Sequence, residues 1–339
     1  MIFVLRPTAS SEETDLLLGQ IASAGLRPLH LPGEEQTVLG ALGDERALGE
    51  LHLENHPAVE SVLPVLAPYV HVGRELTPAD TVVSIGGCKL GGDHFGVIAG
   101  PCAVESYDQL QRTATEVQRA GAHALRAGAF KPRTSPYSFQ GLGLEGLKIL
   151  SRVSDELALP TITEVVEVAD IEAVAEHATA FQVGARNMQN FRLLTALGEV
   201  DRPVLIKRGM AATIEDLLLA AEYVVGSGNP QVILCERGIQ TFEPATRNTL
   251  DLSAVPYLKS KSHLPVIVDP SHGTGLRELV PPMAYAAAAC GADGIIVEVH
   301  RDPAQALSDG RQSLDPDQFA SLMAGLRPFV VAAGKRAVN

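Results

Sequence analysis

Three consecutive runs decide the fold: Val204-Leu-Ile-Lys207, Thr213-Ile-Glu-Asp-Leu-Leu-Leu-Ala-Ala-Glu-Tyr-Val-Val225 and Val232-Ile-Leu-Cys-Glu-Arg237. The outer two stay apolar until charge appears at their ends, the pattern of strands buried on both faces. The middle run sets Ile214, Leu217, Leu218, Ala221, Val224 and Val225 at helical spacing, with Glu215, Asp216 and Glu222 off that face, as an amphipathic helix requires. Strand, helix, strand with a crossover of this length predicts a parallel βαβ unit. The rhythm continues outward. Strands are predicted at 97–99, 122–126, 161–164, 181–184, 204–207, 232–236, 266–269 and 294–299. Eight such units in roughly 250 residues predict a (β/α)8 TIM barrel, an α/β fold whose active site lies at the carboxyl ends of the strands.

Upstream, the pattern changes. Ile2 to Leu5 predicts a strand, and Ser10 with Glu13 forms a capping box for a helix through Ala24. Further strands are predicted at 29–31, 37–42 and 59–66, with a short helix capped by Asp44 and running through Leu53. That order, βαββαβ, predicts a small ferredoxin-like domain over residues 1–66. Residues 67–96 are expected to form a linker rich in Pro and charge followed by a hairpin carrying Gly86-Gly87 and Gly91-Gly92. The catalytic barrel is expected over 97–339.

Composition narrows the class. A chain of 339 residues with 46% hydrophobic and 20% charged residues can bury large cores and does not have the composition of disorder. It contains no apolar run of about 18 residues for a membrane span. The N-terminal apolar stretch is short and lacks a basic leader, which predicts a cytoplasmic location. Cys88, Cys102, Cys235 and Cys290 show no paired spacing and are expected as thiols or metal ligands. A net charge of -13 argues against nucleic acid as a partner. Any anion site must therefore concentrate its own cations.

One loop does so. Residues 125–141 carry Arg126, Lys131 and Arg133 with no acidic residue, stiffened by Pro132 and Pro136. A solvated basic loop and a phosphate or carboxylate clamp both fit this pattern, and the rigid prolines favour the clamp. The predicted strand ends add Cys102, Glu164, Arg186, Lys207 with Arg208, Arg237, His272 and Glu298. Each cation alone could be neutralised by a carboxylate such as Glu236. Arg126, Lys131, Arg133, Arg186, Lys207 and Arg237 at one barrel mouth imply a multiply charged ligand. Cys102, His272, Glu298 and Asp309 together suit a divalent transition metal better than magnesium or calcium. A thiol after a strand also fits a core position, His300 is a second available imidazole, and Asp309 also fits a turn cap.

The motifs Gly100-Pro-Cys102, Lys131-Pro-Arg-Thr-Ser135, Gly184-Ala-Arg186, Leu205-Ile-Lys-Arg208, Leu234-Cys-Glu-Arg-Gly238, Asp269-Pro-Ser-His272, Val297-Glu-Val-His300 and Leu307-Ser-Asp309 occur in order along the chain. In these the sequence resembles the 3-deoxy-7-phosphoheptulonate (DAHP) synthases, most of all the short bacterial type with an N-terminal ferredoxin-like regulatory domain. The resemblance implies condensation of phosphoenolpyruvate with erythrose 4-phosphate and water, releasing phosphate, at the entry to aromatic amino-acid biosynthesis. It implies Cys102, His272, Glu298 and Asp309 as ligands of one divalent metal of the Mn, Fe, Co or Zn type. It implies Arg126, Lys131, Arg186, Lys207 and Arg237 around phosphoenolpyruvate, and Arg133 with Thr134 at the aldose phosphate. Lys131 is the expected proton donor to the new alkoxide. A homotetramer and an aromatic amino-acid effector at the N-terminal domain are also implied. Residues 27–36 contain no Ser or Thr, so a tyrosine phenol would find no side-chain hydroxyl there.

Three rivals stand beside this reading. One is 3-deoxy-octulosonate 8-phosphate synthase using arabinose 5-phosphate, whose loop resembles Lys-Ala-Asn-Arg-Ser where this chain has Lys-Pro-Arg-Thr-Ser. The others are a Schiff-base aldolase with Lys207 as nucleophile and a non-catalytic sugar-phosphate sensor.

Overall fold

The computed structural model describes residues 1–33, 36–43, 52–63, 68–132 and 135–336. Two compact units divide the chain, Met1–Pro78 and Ala79–Asn339. In the first, strands β1 (Ile2–Leu5), β2 (Arg27–Leu31), β3 (Val38–Leu42) and β4 (Val59–Leu63) form an antiparallel sheet in the order β2-β3-β1-β4. Helix α1 (Ser11–Ser23) starts at the expected capping box, with Ser10 and Glu13 each accepting from the other's backbone N–H. Strand parity sends Phe3 and Leu5 to one face, where they join Leu17, Ile21, Leu39 and Ala41 in a buried cluster. The helix expected after Asp44 falls largely outside the described residues, as does the end of the strand expected to reach residue 66. Tyr69, Val72 and Leu76, in the stretch expected as a linker, are buried.

In the second unit, a hairpin of β5 (Val83–Ile85) and β6 (Cys88–Leu90) precedes eight strands: β7 (Gly96–Gly100), β8 (Ala124–Arg126), β9 (Thr161–Val165), β10 (Ala180–Val183), β11 (Val204–Lys207), β12 (Val232–Glu236), β13 (Val266–Val268) and β14 (Gly294–Glu298). All eight pair in parallel with their sequence neighbours, and β14 closes on β7. This is the predicted barrel. The helix predicted between β11 and β12 spans Ile214–Gly226, with Thr213 and Asp216 forming a capping box. It buries Leu217, Leu218, Ala220, Ala221 and Val224, each worth up to about 1.5–3 kcal/mol for the larger side chains.

The barrel interior is filled by inward residues from every strand, two from β12 and one from each of the others: Ile98, Ala124, Ile162, Ala180, Leu205, Ile233 with Cys235, Ile267 and Ile296. Val83, Ile85, Cys88 and Leu90 of the hairpin belong to the same buried cluster. Among the described residues no helix is long and apolar enough to cross a membrane.

Candidate active site

Because successive strand residues alternate faces, the residue two positions beyond each inward core residue also points inward, one layer nearer the carboxyl end. Applied to the interior cluster, that step reaches Gly100, Arg126, Glu164, Gln182, Lys207, Arg237, Asp269 and Glu298. A filled apolar plug therefore gives way to polar side chains on every strand but β7, where Gly100 has none, and one step later on β12, where Cys235 stands level with Lys207. Above this layer lies a cavity of about 260 Å³. Arg126, Lys131, Arg186, Lys207, Arg237 and Arg247 line it, against the carboxylates Glu164 and Asp309. All five cations expected around phosphoenolpyruvate thus share one cavity.

Parity also sorts neighbouring charges. Lys207 turns inward and its ammonium pairs with Asp269. Arg208 turns the other way, pairing with Glu236 at 2.9 Å and Asp251 at 3.2 Å. Glu236 also accepts from the Gly238 N–H at 2.6 Å. Glu236 is thus occupied by Arg208, and inward-facing Arg237 is left to the cavity. Arg237 is 4% exposed and, among the described residues, donates only a long bond, 3.4 Å, to the Gly238 carbonyl. Among the described residues no carboxylate pairs with it, and burial pulls its pKa below the usual arginine value despite the nearby Asp269 charge.

The expected metal ligands converge on one side of the cavity. Cys102, Glu298 and Asp309 each offer a ligand atom within 4.8 Å of the others. His272 Nε2 lies 3.4 Å from Glu298 Oε1 and 4.0 Å from Asp309 Oδ2. Asp269 both caps and orients this imidazole. Its Oδ1 accepts from the His272 backbone N–H at 2.9 Å, and its Oδ2 faces Nδ1 at 2.7 Å. A carboxylate only accepts, so Nδ1 carries the proton and Nε2 presents a lone pair. Burial keeps the ring neutral by lowering its pKa, overriding the carboxylates beside it. A lone pair on Nε2 and another on Glu298 Oε1 then face each other across 3.4 Å, an arrangement that a cation between them would satisfy. Burial, reinforced by the Glu298 charge, pushes the Cys102 thiol up to about 12. Its sulfur lies 3.2 Å from Asp309 Oδ2 and accepts from Lys131 Nζ at 3.0 Å. Thiol, imidazole and two carboxylates fit a transition-metal ion that displaces the thiol proton.

Several placements went beyond the sequence expectations. Arg126 lines the cavity but also donates to Glu298 at 2.8 Å, tying the anion-binding set to the metal-ligand set. Arg133 and Thr134 lie outside the described residues, and Pro132, Ser135 and Ser138 around them line the cavity. His300, the alternative imidazole, is used elsewhere: its Nδ1 accepts from the Asp302 N–H at 3.0 Å and its Nε2 faces Glu105 at 3.4 Å. Lys207, the nucleophile of the Schiff-base reading, is ion-paired with Asp269. Arg247 and Gln312 were missed. Both come from loops without periodicity, where local sequence gives no signal of which partners they meet. Glu164 stands at the end of β9, and a Cβ at Gly184 would stand 1.9 Å from its Oε1. Glycine at 184 is what makes room for that carboxylate.

Residues 77–329 match the family model of the DAHP synthetase I family, and residues 1–67 match that of the DAHP synthase ferredoxin-like domain. The chain is 49% identical over 334 residues to the phospho-2-dehydro-3-deoxyheptonate aldolase of Thermotoga maritima, covering 98% of this chain and 99% of that protein. It is 34% identical over 255 residues to a 2-dehydro-3-deoxyphosphooctonate aldolase of Syntrophobacter fumaroxidans, covering 70% and 88% respectively. Among solved structures, the crystal structure of the Thermotoga maritima phospho-2-dehydro-3-deoxyheptonate aldolase (DAHP synthase) matches with a TM-score of 0.79 at 49% identity, covering 99% of this chain and 98% of that one. A truncated form of 3-deoxy-D-arabino-heptulosonate 7-phosphate synthase from the same organism matches with a TM-score of 0.73, covering 78% and 97%. A ferredoxin-like front unit, a closed eight-stranded barrel and these matches over nearly the whole chain together make it a member of the DAHP synthetase I family of enzymes.

Proposed function

We propose that the chain condenses phosphoenolpyruvate with erythrose 4-phosphate and water to give 3-deoxy-D-arabino-heptulosonate 7-phosphate and inorganic phosphate. The observation that carries this reading is Arg237, a buried guanidinium with no carboxylate partner among the described residues, opening on a cavity lined by five further cations. An anion of several charges is what such a cavity binds without leaving unpaired charge on either side. Arg186, Lys207 and Arg237 hold the phosphate and carboxylate of phosphoenolpyruvate, with Arg126 and Lys131 on the side toward the metal-ligand set. Arg133 and Thr134 hold the aldose phosphate.

The residues Cys102, His272, Glu298 and Asp309 would bind one divalent ion of the Mn, Fe, Co or Zn type, which when bound supplies Lewis-acid polarisation of the aldehyde oxygen. C3 of phosphoenolpyruvate attacks the aldehyde carbon, and positive charge develops at C2. Lys131, whose Nζ sits 3.0 Å from Cys102 Sγ, donates a proton to the new alkoxide. Water adds at C2, and the hemiketal phosphate loses phosphate by C–O cleavage. Glu164 is the cavity carboxylate outside the metal-ligand set, and we assign it the proton of that water.

The longer match, 49% over nearly the whole chain including the front domain, supports erythrose 4-phosphate as the aldose. The octulosonate relative of Syntrophobacter fumaroxidans matches 70% of the chain at 34% identity, which makes arabinose 5-phosphate the second reading. A phosphate-release assay with phosphoenolpyruvate and either aldose, with and without EDTA, tests both. Release with erythrose 4-phosphate that EDTA abolishes is expected. Release with arabinose 5-phosphate alone would overturn the aldose, and release indifferent to EDTA would overturn the metal. Repeating the assay with added phenylalanine or tyrosine tests an aromatic amino-acid effector at the ferredoxin-like domain, and light scattering tests the homotetramer.

A further inference from the structure

We infer that Gln312 is a positioning residue for the metal-ligand carboxylates and that Arg247 sets the orientation of its amide. The inference rests on the metal-site reading above. Glu298 is buried at the end of β14, and its Oε1 is already engaged by Arg126 at 2.8 Å and faced by His272. Its other oxygen, Oε2, accepts from Gln312 Nε2 at 2.6 Å. Rotation of that carboxylate is therefore held at both oxygens.

Gln312 is itself held. Its Oε1 accepts from Arg247 Nη1 at 2.9 Å, and the same guanidinium nitrogen lies 3.2 Å from Asp309 Oδ1. A guanidinium only donates and a carboxylate only accepts, so a side chain bridging the two must do both, as a primary amide does. The amide then has one satisfied orientation, with nitrogen toward Glu298 and oxygen toward Arg247. Gln312 is 3% exposed, so neither end can exchange its partner for solvent at little cost.

The backbone explains how one loop supplies both groups. Asp309 has φ of 51°, in the left-handed region. Its carbonyl accepts from the Gln312 N–H at 3.2 Å and the Ser313 hydroxyl at 3.1 Å. This turn presents Asp309 and Gln312 toward the same cluster from positions three apart. Arg247 comes from the loop after β12 and lines the anion cavity. The path Arg247, Gln312, Glu298 therefore joins the substrate side of the site to the metal-ligand side. Partners of this kind, which orient ligands without touching the ion, commonly change metal affinity by about 10–100-fold when removed.

Cobalt(II) titration of the metal-free full-length chain tests the proposal, following the thiolate-to-cobalt absorption and the d–d bands, with Kd read by chelator competition. Gln312→Met preserves length and volume but cannot bridge. It should raise the cobalt Kd by about 10–100-fold and shift the d–d bands at saturating metal. Arg247→Met, at a side chain that is 38% exposed, should raise Kd by a smaller factor, and less again in the Gln312→Met background. Arg311→Met, in the same turn, should change neither Kd nor bands. A cobalt Kd within twofold of the parent in both Gln312→Met and Arg247→Met overturns the proposal. A double variant equal to the product of the single effects overturns the dependence of Gln312 on Arg247. A parent chain that takes up no cobalt overturns the metal-site reading and this inference with it.

Discussion

Replacing Arg237 with methionine separates an anion-binding cation from a structural one by the sign of the stability change. Arg237 is 4% exposed, its best hydrogen bond is 3.4 Å long, and burial lowers its pKa. Among the described residues no carboxylate pairs with it, so the ligand-free protein carries much of the desolvation cost of this cation. Exchanging such a group for an apolar side chain of similar length should stabilise the ligand-free chain by roughly 1–3 kcal/mol. At about 2–4 °C for each kcal/mol in a domain of this size, the melting temperature rises by several degrees. Ligand response should move the other way. Phosphoenolpyruvate at 100 times its Kd stabilises the parent by about 2.7 kcal/mol. Loss of a buried charge-assisted contact costs at least about 2 kcal/mol of binding, a rise in Kd of roughly 30-fold. At the same concentration the variant then gains under about 1 kcal/mol. Scanning calorimetry of both proteins, with and without phosphoenolpyruvate, reads all four values. A variant that melts below its parent, by the roughly 3–5 kcal/mol of a broken buried pair, while keeping the full phosphoenolpyruvate shift would refute the reasoning.

Three further outcomes are expected. Gly184→Ala sets a Cβ 1.9 Å from Glu164 Oε1, so the carboxylate must swing away. Turnover should fall on the order of 10²-fold with little change in melting temperature, and unchanged turnover would remove Glu164 from the mechanism. Metal uptake near neutral pH should release a proton, because the Cys102 thiol is pushed up to about 12 before the ion arrives. Calorimetric titration in buffers of different ionisation enthalpy measures that proton, and Cys102→Ser should abolish its release. Burial raises the Asp251 carboxyl, but Ser253 and Arg208 outweigh it and hold the folded value below 3.8. Its contribution is thus present above about pH 4 and lost as pH falls through the folded pKa. Asp251→Asn should cost on the order of 1 kcal/mol at neutral pH in denaturant titrations. The gap to the parent should close on acidification, and a widening gap would contradict the assignment.

The path from sequence to site was legible where periodicity operates. All eight barrel strands and the helix between β11 and β12 followed from apolar runs and 3.6-residue spacing, because burial on one or both faces imposes those periods. Strand parity then reached Arg126, Glu164, Lys207, Arg237, Asp269 and Glu298 without further information, since each stands two residues beyond a side chain packed in the interior. The partners of those charges were not legible. That Glu236 serves Arg208, or that Asp269 holds Lys207 as well as the nearby His272, depends on which strands are neighbours in the closed sheet and on their stagger.

By itself, then, the sequence determined the repeating unit and the charged residues that leave the strand ends, since these follow from local periods and residue types. Only the tertiary structure decided how loops far apart in the chain meet. Arg247 and Gln312 come from loops 65 residues apart, and Arg126 reaches Glu298 across a separation of 172. A hydrogen bond needs its groups within about 3 Å, and closure of the barrel, not any local pattern, brings them there.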